Sequence, residues 1–314
     1  MRTAFINALL AEARTNPRLF LVVGDLGYSV VEPFAAEFPD RFLNAGVAEQ
    51  NMTAVAAGLA SEGFHVFTYS IANFPTLRCF EQIRNDVCYH GLPVTVVAVG
   101  AGLAYGNLGY SHHGVQDIAV MRTLPGLTLL SPADPGETTA AVKHLSARPG
   151  PGYLRLGKAG EKVLHEVAAD LAAGPVEVRA GDDPVALAAT GSVLVLALAA
   201  ADALAARGRR VAVYSCPWLR PADTAFFAPL WRHRTVVTVE EHLLAGGFGS
   251  LLRELAPDGV RLRSLAVAEE VAGLVGSQDW LRQRAGLTPE ALVKLVDGAK
   301  QGSLELAAPR PGAT

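Results

Sequence analysis

Two short stretches carry side chains whose types and spacing could do chemistry. In RFLNAGVAEQNMTAVAAGLA (41–60) one carboxylate, Glu49, is followed by Ala54, Val55, Ala56, Ala57, Gly58, Leu59 and Ala60. An acid in the first turn of a helix gains about 0.3–1 kcal/mol from the helix dipole. A helix this small and apolar is expected to be buried, so its start is a poor place for a solvated charge. The alternative is a desolvated carboxyl that shares a proton with a buried partner. In GYSHHGVQD (109–117), His112 and His113 follow a glycine-rich loop. No carboxylate or third histidine lies at a useful metal-ligand spacing, so no metal site is assigned. A structural role is the ordinary one for a single histidine, and substrate contact stays open beside it.

The elements that must position these residues follow from hydrophobic patterning. LFLVV (19–23), HVFTY (65–69), PVTVVAV (93–99), LTLLS (127–131) and GYLRL (152–156) read as strands, and 48–61, 76–90 and 134–147 as helices between them. MRTAFINALLAEARTNPRLF has the amphipathic pattern of an N-terminal helix. Continuous apolar strands separated by helices indicate a parallel sheet covered on both faces. After a mixed stretch with the turn signal GDDP (181–184) a second series begins. Its strands are PVALAAT (184–190), RRVAVYS (209–215), TVVTVE (235–240) and VRLRSLAV (260–267). Helices fit 192–207, 223–233, 247–256, 278–285 and 288–299, the last opened by Thr288 as N-cap and Pro289. The expected fold is two doubly wound α/β domains in series. Residues 1–157 form the first, 158–184 a linker, and 185–314 the second.

Composition limits the function. Half of the 314 residues are hydrophobic and 18% are charged, enough for a large core and against global disorder. A formal charge of −3 gives no electrostatic reason to expect nucleic acid or an anionic membrane as partner. The N-terminus lacks the apolar core of a signal peptide, and the longest apolar stretch (193–206) is broken by Asp202. Cys79, Cys88 and Cys216 are odd in number and form no CxxC pair, so reduced thiols and a cytoplasmic location are expected.

GVAEQNM (46–52) resembles the glutamate motif of the transketolase family of thiamine-diphosphate enzymes, which includes transketolase and deoxyxylulose phosphate synthase. GDLGYS (24–29), TYSIANFPTLRCFEQIRND (68–86), GYSHHGVQDIAVMRTLPGLTLLSPADPGE (109–137) and VEEHLLAGGFGS (239–250) resemble further family segments in the same order, so the likeness runs from about residue 2 to 300. The resemblance implies that Glu49 hydrogen-bonds N1′ of the cofactor's aminopyrimidine and so promotes loss of the thiazolium C2 proton. An apolar cavity around the carboxyl suits that task. Phe74 is the implied stacking ring over the pyrimidine, and Ile71 stands where many relatives have a second phenylalanine. Asp25, Val47 and Arg78 are implied cofactor contacts. His112 matches the family histidine that touches substrate hydroxyls, and His113 is its neighbour in the substrate region. Arg2 and Ser29 match positions that help to hold a sugar phosphate.

A complete enzyme of this family also has a diphosphate-binding domain that holds Mg²⁺ through a GDG motif, and no GDG triplet occurs here. The chain therefore resembles the C-terminal half of a split transketolase. The resemblance implies an N-terminal-half partner subunit that supplies the Mg²⁺ ligands, an α2β2 assembly, and self-association through the pyrimidine-binding and C-terminal domains. Substrate positions depart from ordinary transketolase. A channel histidine is Gly100, an arginine before PAD is Ser131, and the aspartate that reads the acceptor 2-hydroxyl is Leu108. Losing that charged acceptor forfeits a contact of about 1.5–3 kcal/mol and favours an aldehyde without a hydroxyl there. The expected function is two-carbon ketol transfer from a ketose or its phosphate to an atypical aldehyde, in a specialised biosynthetic pathway. A deoxyxylulose-phosphate-synthase-like carboligase, the β subunit of a 2-oxoacid dehydrogenase and a non-catalytic scaffold are the alternatives.

Overall fold

Apolar strands that alternate between two covered faces account for the first half of the chain. The protein is described here by a computed structural model over residues 1–158, 160–166 and 170–299. In chain order the first half has α1 (Arg2–Thr15), β1 (Leu19–Val23), α2 (Glu32–Glu37), β2 (Phe42–Asn44), α3 (Glu49–Ser61) and β3 (His65–Ile71). It continues with α4 (Phe80–Gln82), a π-helical turn at Ile83–Cys88, β4 (Val94–Val99), α5 (Asp117–Met121), β5 (Thr128–Leu130), α6 (Pro135–Ala147) and β6 (Gly152–Leu156). The second half has β7 (Val176–Arg179), β8 (Val185–Ala189), α7 (Leu194–Ala205), β9 (Ala212–Ser215), β10 (Trp218–Arg220) and β11 (Thr235–Leu243). It ends with α8 (Phe248–Leu255), β12 (Arg261–Val267), α9 (Glu269–Ala272), α10 (Gln278–Arg284) and α11 (Pro289–Gly298).

Among the described residues the strands build a seven-stranded sheet, β10-β5-β6-β4-β3-β1-β2, and a five-stranded sheet, β12-β11-β8-β9-β7. Pairings are parallel except at two edges, where β10 runs against β5 and β7 against β9. Successive strand residues point to opposite faces. Leu19, Leu21 and Val23 pack against α1 and α6, while Val22 packs against Met52, Ala56, Ala57 and Ala60 of α3. In the second sheet Val185, Leu187 and Ala189 meet α7 and α11, while Ala186 and Ala188 turn the other way toward Phe248 and Leu252 of α8. That second face shares one apolar cluster with Val96, Ala98, Leu129 and Tyr153 of the first sheet. The two sheets are thus joined by core packing.

The architecture is the expected pair of doubly wound α/β units. Three local readings are corrected. The segment 158–184, read as linker, contributes β7 to the second sheet, while residues 159 and 167–169 lie outside the described residues, as does the tail beyond 299. The predicted helix 223–233 is turns ending in one 3₁₀ turn at Leu230–Arg232. There Asp223 accepts from Phe226 N–H at 2.8 Å and Trp231 Nε1 donates to the Thr224 carbonyl at 2.7 Å, bonds that compete with a helical ladder. The predicted helix 76–90 is helical only from Phe80, because residues 72–79 form turns. No helix among the described residues is long and apolar enough to cross a membrane.

Candidate active site

Parallel strands bring their carboxyl ends to one edge of the sheet, where doubly wound folds place their sites. Asp25 follows β1, Glu49 follows β2, Phe74 and Arg78 follow β3, and His112 sits on the long connection after β4. The sequence puzzle at Glu49 resolves in α3. Glu49, Met52, Thr53, Ala56, Ala57 and Ala60 form the buried stripe at helical spacing, so the acid is the first member of the inward face. The opposite face is not buried, because Gln50, Asn51, Ala54 and Gly58 are exposed.

The Glu49 carboxyl is 1% exposed. Ser70 Oγ donates to its Oε1 at 3.1 Å and Arg78 Nη1 donates to its Oε2 at 2.6 Å. Arg78 is half-exposed, and its guanidinium carbon lies 4.7 Å from the centroid of the Phe74 ring. Phe74 meets the His112 ring edge-to-face at 5.1 Å between centroids. Four predicted residues, Glu49, Arg78, Phe74 and His112, therefore form one continuous chain of contacts. Burial, and then the neighbouring His113, lower the His112 pKa, so the imidazole is held toward its neutral form. Ser111 Oγ lies 2.9 Å from His112 Nδ1.

The other predicted residues are distributed around this chain. Asp25 is exposed and exchanges hydrogen bonds with Asn44: its N–H donates to Asn44 Oδ1 at 3.1 Å and its Oδ1 accepts from Asn44 Nδ2 at 2.9 Å. Val47 is 75% exposed, and Ile71 ends β3 half-buried. Ser29 is exposed, with its N–H donating to Glu32 at 2.7 Å, and Arg2 lies on α1 beside Tyr69 and Tyr105. Leu108 is 56% exposed on the turn before His112. His113 is fully buried and its Nδ1 donates to the Ala272 carbonyl at 2.7 Å, so it faces the second domain. Ser131 is buried at the same seam, where its N–H donates to the Pro217 carbonyl at 2.7 Å and its carbonyl accepts from Gly191. Ser131 has no hydrogen bond or ring contact with the Glu49 chain among the described residues.

Three participants carry no signal in the sequence. Ser70 is hidden inside a strand pattern. Asn73 donates from Nδ2 to the Ser111 and His113 carbonyls at 3.2 and 2.7 Å, tying the Phe74 turn to the His112 loop. Tyr105 fills the space beside Gly100, whose φ is +93° and where any Cβ would run into the tyrosine ring. A side chain at residue 100 would have to displace the Tyr105 ring and adopt a left-handed backbone conformation. No group of three or more His, Cys, Asp or Glu side chains placed to hold a metal occurs among the described residues.

Comparison with known proteins identifies both domains. Residues 1–160 match the transketolase pyrimidine-binding domain and residues 174–292 the transketolase C-terminal domain. The chain is 34% identical to a subunit of the apulose-4-phosphate transketolase of Actinobacillus succinogenes, covering 92% of this chain and 95% of that protein. It is 35% identical to the 1-deoxy-D-xylulose-5-phosphate synthase 1 of Geobacter sulfurreducens over 90% of this chain but only 45% of that one, so it spans about half of the synthase. A solved structure described as a split gene transketolase, inactive beta4 tetramer, superposes with a TM-score of 0.84 at 34% identity, covering 96% of this chain and 98% of that one. Two transketolase domains in sequence, together with whole-chain likeness to a transketolase subunit, place the chain in the transketolase family.

Proposed function

We propose that the chain is the pyrimidine-binding half of a two-subunit, thiamine-diphosphate-dependent ketol transferase. The observation that carries this reading is the buried Glu49 carboxyl, linked through Arg78 and Phe74 to His112 at the carboxyl edge of the sheet. These residues fit the cofactor's aminopyrimidine: one buried acceptor, an adjacent aromatic face, and a half-exposed arginine that can turn outward. Bound thiamine diphosphate supplies the nucleophilic carbon and electron sink for cleaving a bond beside a carbonyl. Glu49 Oε2 would hold a proton at the pyrimidine nitrogen, with Ser70 fixing the other oxygen. Phe74 would orient the ring. His112 offers its Nε2 to a substrate hydroxyl, while Ser111 Oγ engages Nδ1 at 2.9 Å.

Mg²⁺ and its ligands are assigned to a diphosphate-binding partner subunit in an α2β2 assembly. A similar protein named as one subunit of an apulose-4-phosphate transketolase, and a similar split-gene chain whose tetramer of that chain alone is described as inactive, support the need for a second subunit. The exposed face of α3 and the exposed Val47 leave an uncovered surface beside the site for the partner. Mixed with that subunit, the chain should cleave a ketose phosphate donor, whereas the chain alone should not. Cleavage by the chain alone contradicts the reading. The likeness to the synthase half supports pyruvate as a second donor to try, and CO₂ release would move the assignment there.

Leu108 points to the acceptor class. An exposed leucine four residues before His112 suits an aldehyde without a 2-hydroxyl. Leu108→Asp should shift the kcat/KM ratio toward 2-hydroxy aldehydes by about 10-fold or more. A wild-type preference for 2-hydroxy aldehydes would show that Leu108 does not select the acceptor.

A further inference from the structure

The segment from Gly100 to Gly114 carries both Leu108 and His112, yet its only regular structure is two 3₁₀ turns, Gly106–Leu108 and Tyr110–His112. Its ends are closed on each other: Gly102 N–H donates to the Gly114 carbonyl at 2.9 Å, and Gly114 N–H returns the bond at 2.8 Å. Fifteen residues of mostly irregular chain do not by themselves hold an imidazole to the sub-ångström tolerance that catalysis demands. The second domain supplies what the loop lacks. Leu103 N–H, at the loop's base, donates to Glu241 Oε1 at 3.0 Å, across the seam between the two sheets.

Glu241 is 3% exposed, and its carboxyl is held from behind. Arg282 donates to Oε2 from Nε at 3.1 Å and from Nη2 at 2.5 Å, and Gln278 Nε2 donates to Oε1 at 3.0 Å. Arg282 Nη2 also reaches Ser192 Oγ at 2.9 Å. The Glu241 carbonyl accepts from Arg155 Nη2 at 3.0 Å, and the same nitrogen donates to the Gly114 carbonyl at 2.7 Å. One residue therefore reaches both ends of the loop, by its side chain at Leu103 and by its backbone through Arg155. Gly102 leaves the room that this needs, because a Cβ there would lie 2.5 Å from Glu241 Cγ and 2.7 Å from the Glu241 carbonyl. Two further contacts extend the brace: His113 Nδ1 donates to the Ala272 carbonyl, and Gly276 N–H donates to the Gly106 carbonyl at 3.2 Å.

We propose that Glu241 of the C-terminal domain is a positioning residue for His112, acting through the Leu103 amide and the closed base of the 100–114 loop. The proposal gives the C-terminal domain a part in the chemistry without touching substrate, and it rests on the reading of His112 as a substrate contact. A merely structural Glu241 would contribute to stability everywhere. A positioning Glu241 acts on the loop selectively.

Hydrogen exchange on the full chain separates these roles. In Glu241→Ala the amides of Leu103, His112 and His113 should exchange about 10-fold faster or more, while those of β1 and β3 stay as in the wild type. Gly102→Ala, which pushes against Glu241 from the loop side, should loosen the same amides, and it serves if Glu241→Ala does not fold. Mixed with the partner subunit, the folded variant should lose about 10-fold or more in kcat with unchanged affinity for thiamine diphosphate. Unchanged loop exchange overturns the proposal, as does equal acceleration throughout the chain or an undiminished kcat beside a loosened loop. His112→Ala separates this from the parent reading. If that variant is fully active, ketol transfer through His112 fails, whereas the exchange data still decide whether Glu241 holds the loop.

Discussion

Glu49 has both oxygens engaged, by Ser70 and Arg78, at the head of a buried stripe rich in alanine. Glu49→Gln keeps the shape but puts an amide where the proposed mechanism holds a proton. With the partner subunit present, kcat should fall by about 100-fold or more while sedimentation shows the same assembly. A glutamine variant of wild-type activity would remove the acid from the mechanism. Gly100 tests a second local claim. Gly100→His places a side chain at φ +93° against the Tyr105 ring. It should cost about 2–4 kcal/mol of stability in urea denaturation, from backbone strain and overpacking together. A histidine variant as stable as the wild type would mean that Tyr105 yields freely and does not shape the channel.

Strands were legible where local pattern and tertiary demand agreed: LFLVV and GYLRL are β1 and β6 to the residue, the first an apolar run and the second buried on both faces with its one charge, Arg155, paired to Asp117. The edge strands β7 and β10 were not, because runs of four and three residues are too short to show a period. Within the site, Glu49, Phe74, Arg78 and His112 could be read from motifs, whereas Ser70, Asn73, Tyr105 and Glu241 act through contacts that only folding creates. The start of β3 carries a prediction about pH. His65 is buried against Phe67 with rings 5.2 Å apart, and burial pushes its pKa down to about 4. The unfolded chain takes up this proton near pH 6.5, so the stability due to neutral His65 is present above that value and is lost as pH falls from 6.5 toward 4. His65→Leu removes that titration. The slope of unfolding free energy across the window should flatten by up to about 1.4 kcal/mol per pH unit. An unchanged slope would show that the histidine does not stay neutral in the folded chain.

At the scale of the whole molecule, two sheets share a core, and Glu241 of the second unit bonds the base of the loop that carries His112. The acid, the aromatic ring and the histidine stand ready at one edge, and the diphosphate and its metal are assigned to another polypeptide. Cofactor affinity should therefore belong to the assembly. Calorimetric titration of thiamine diphosphate with Mg²⁺ into the chain alone, and into its mixture with a diphosphate-binding subunit from the neighbouring reading frame, measures this directly. Tight binding in the mixture only is the predicted result. Equally tight binding by the chain alone, or none by an assembled complex of the two, would contradict the shared site.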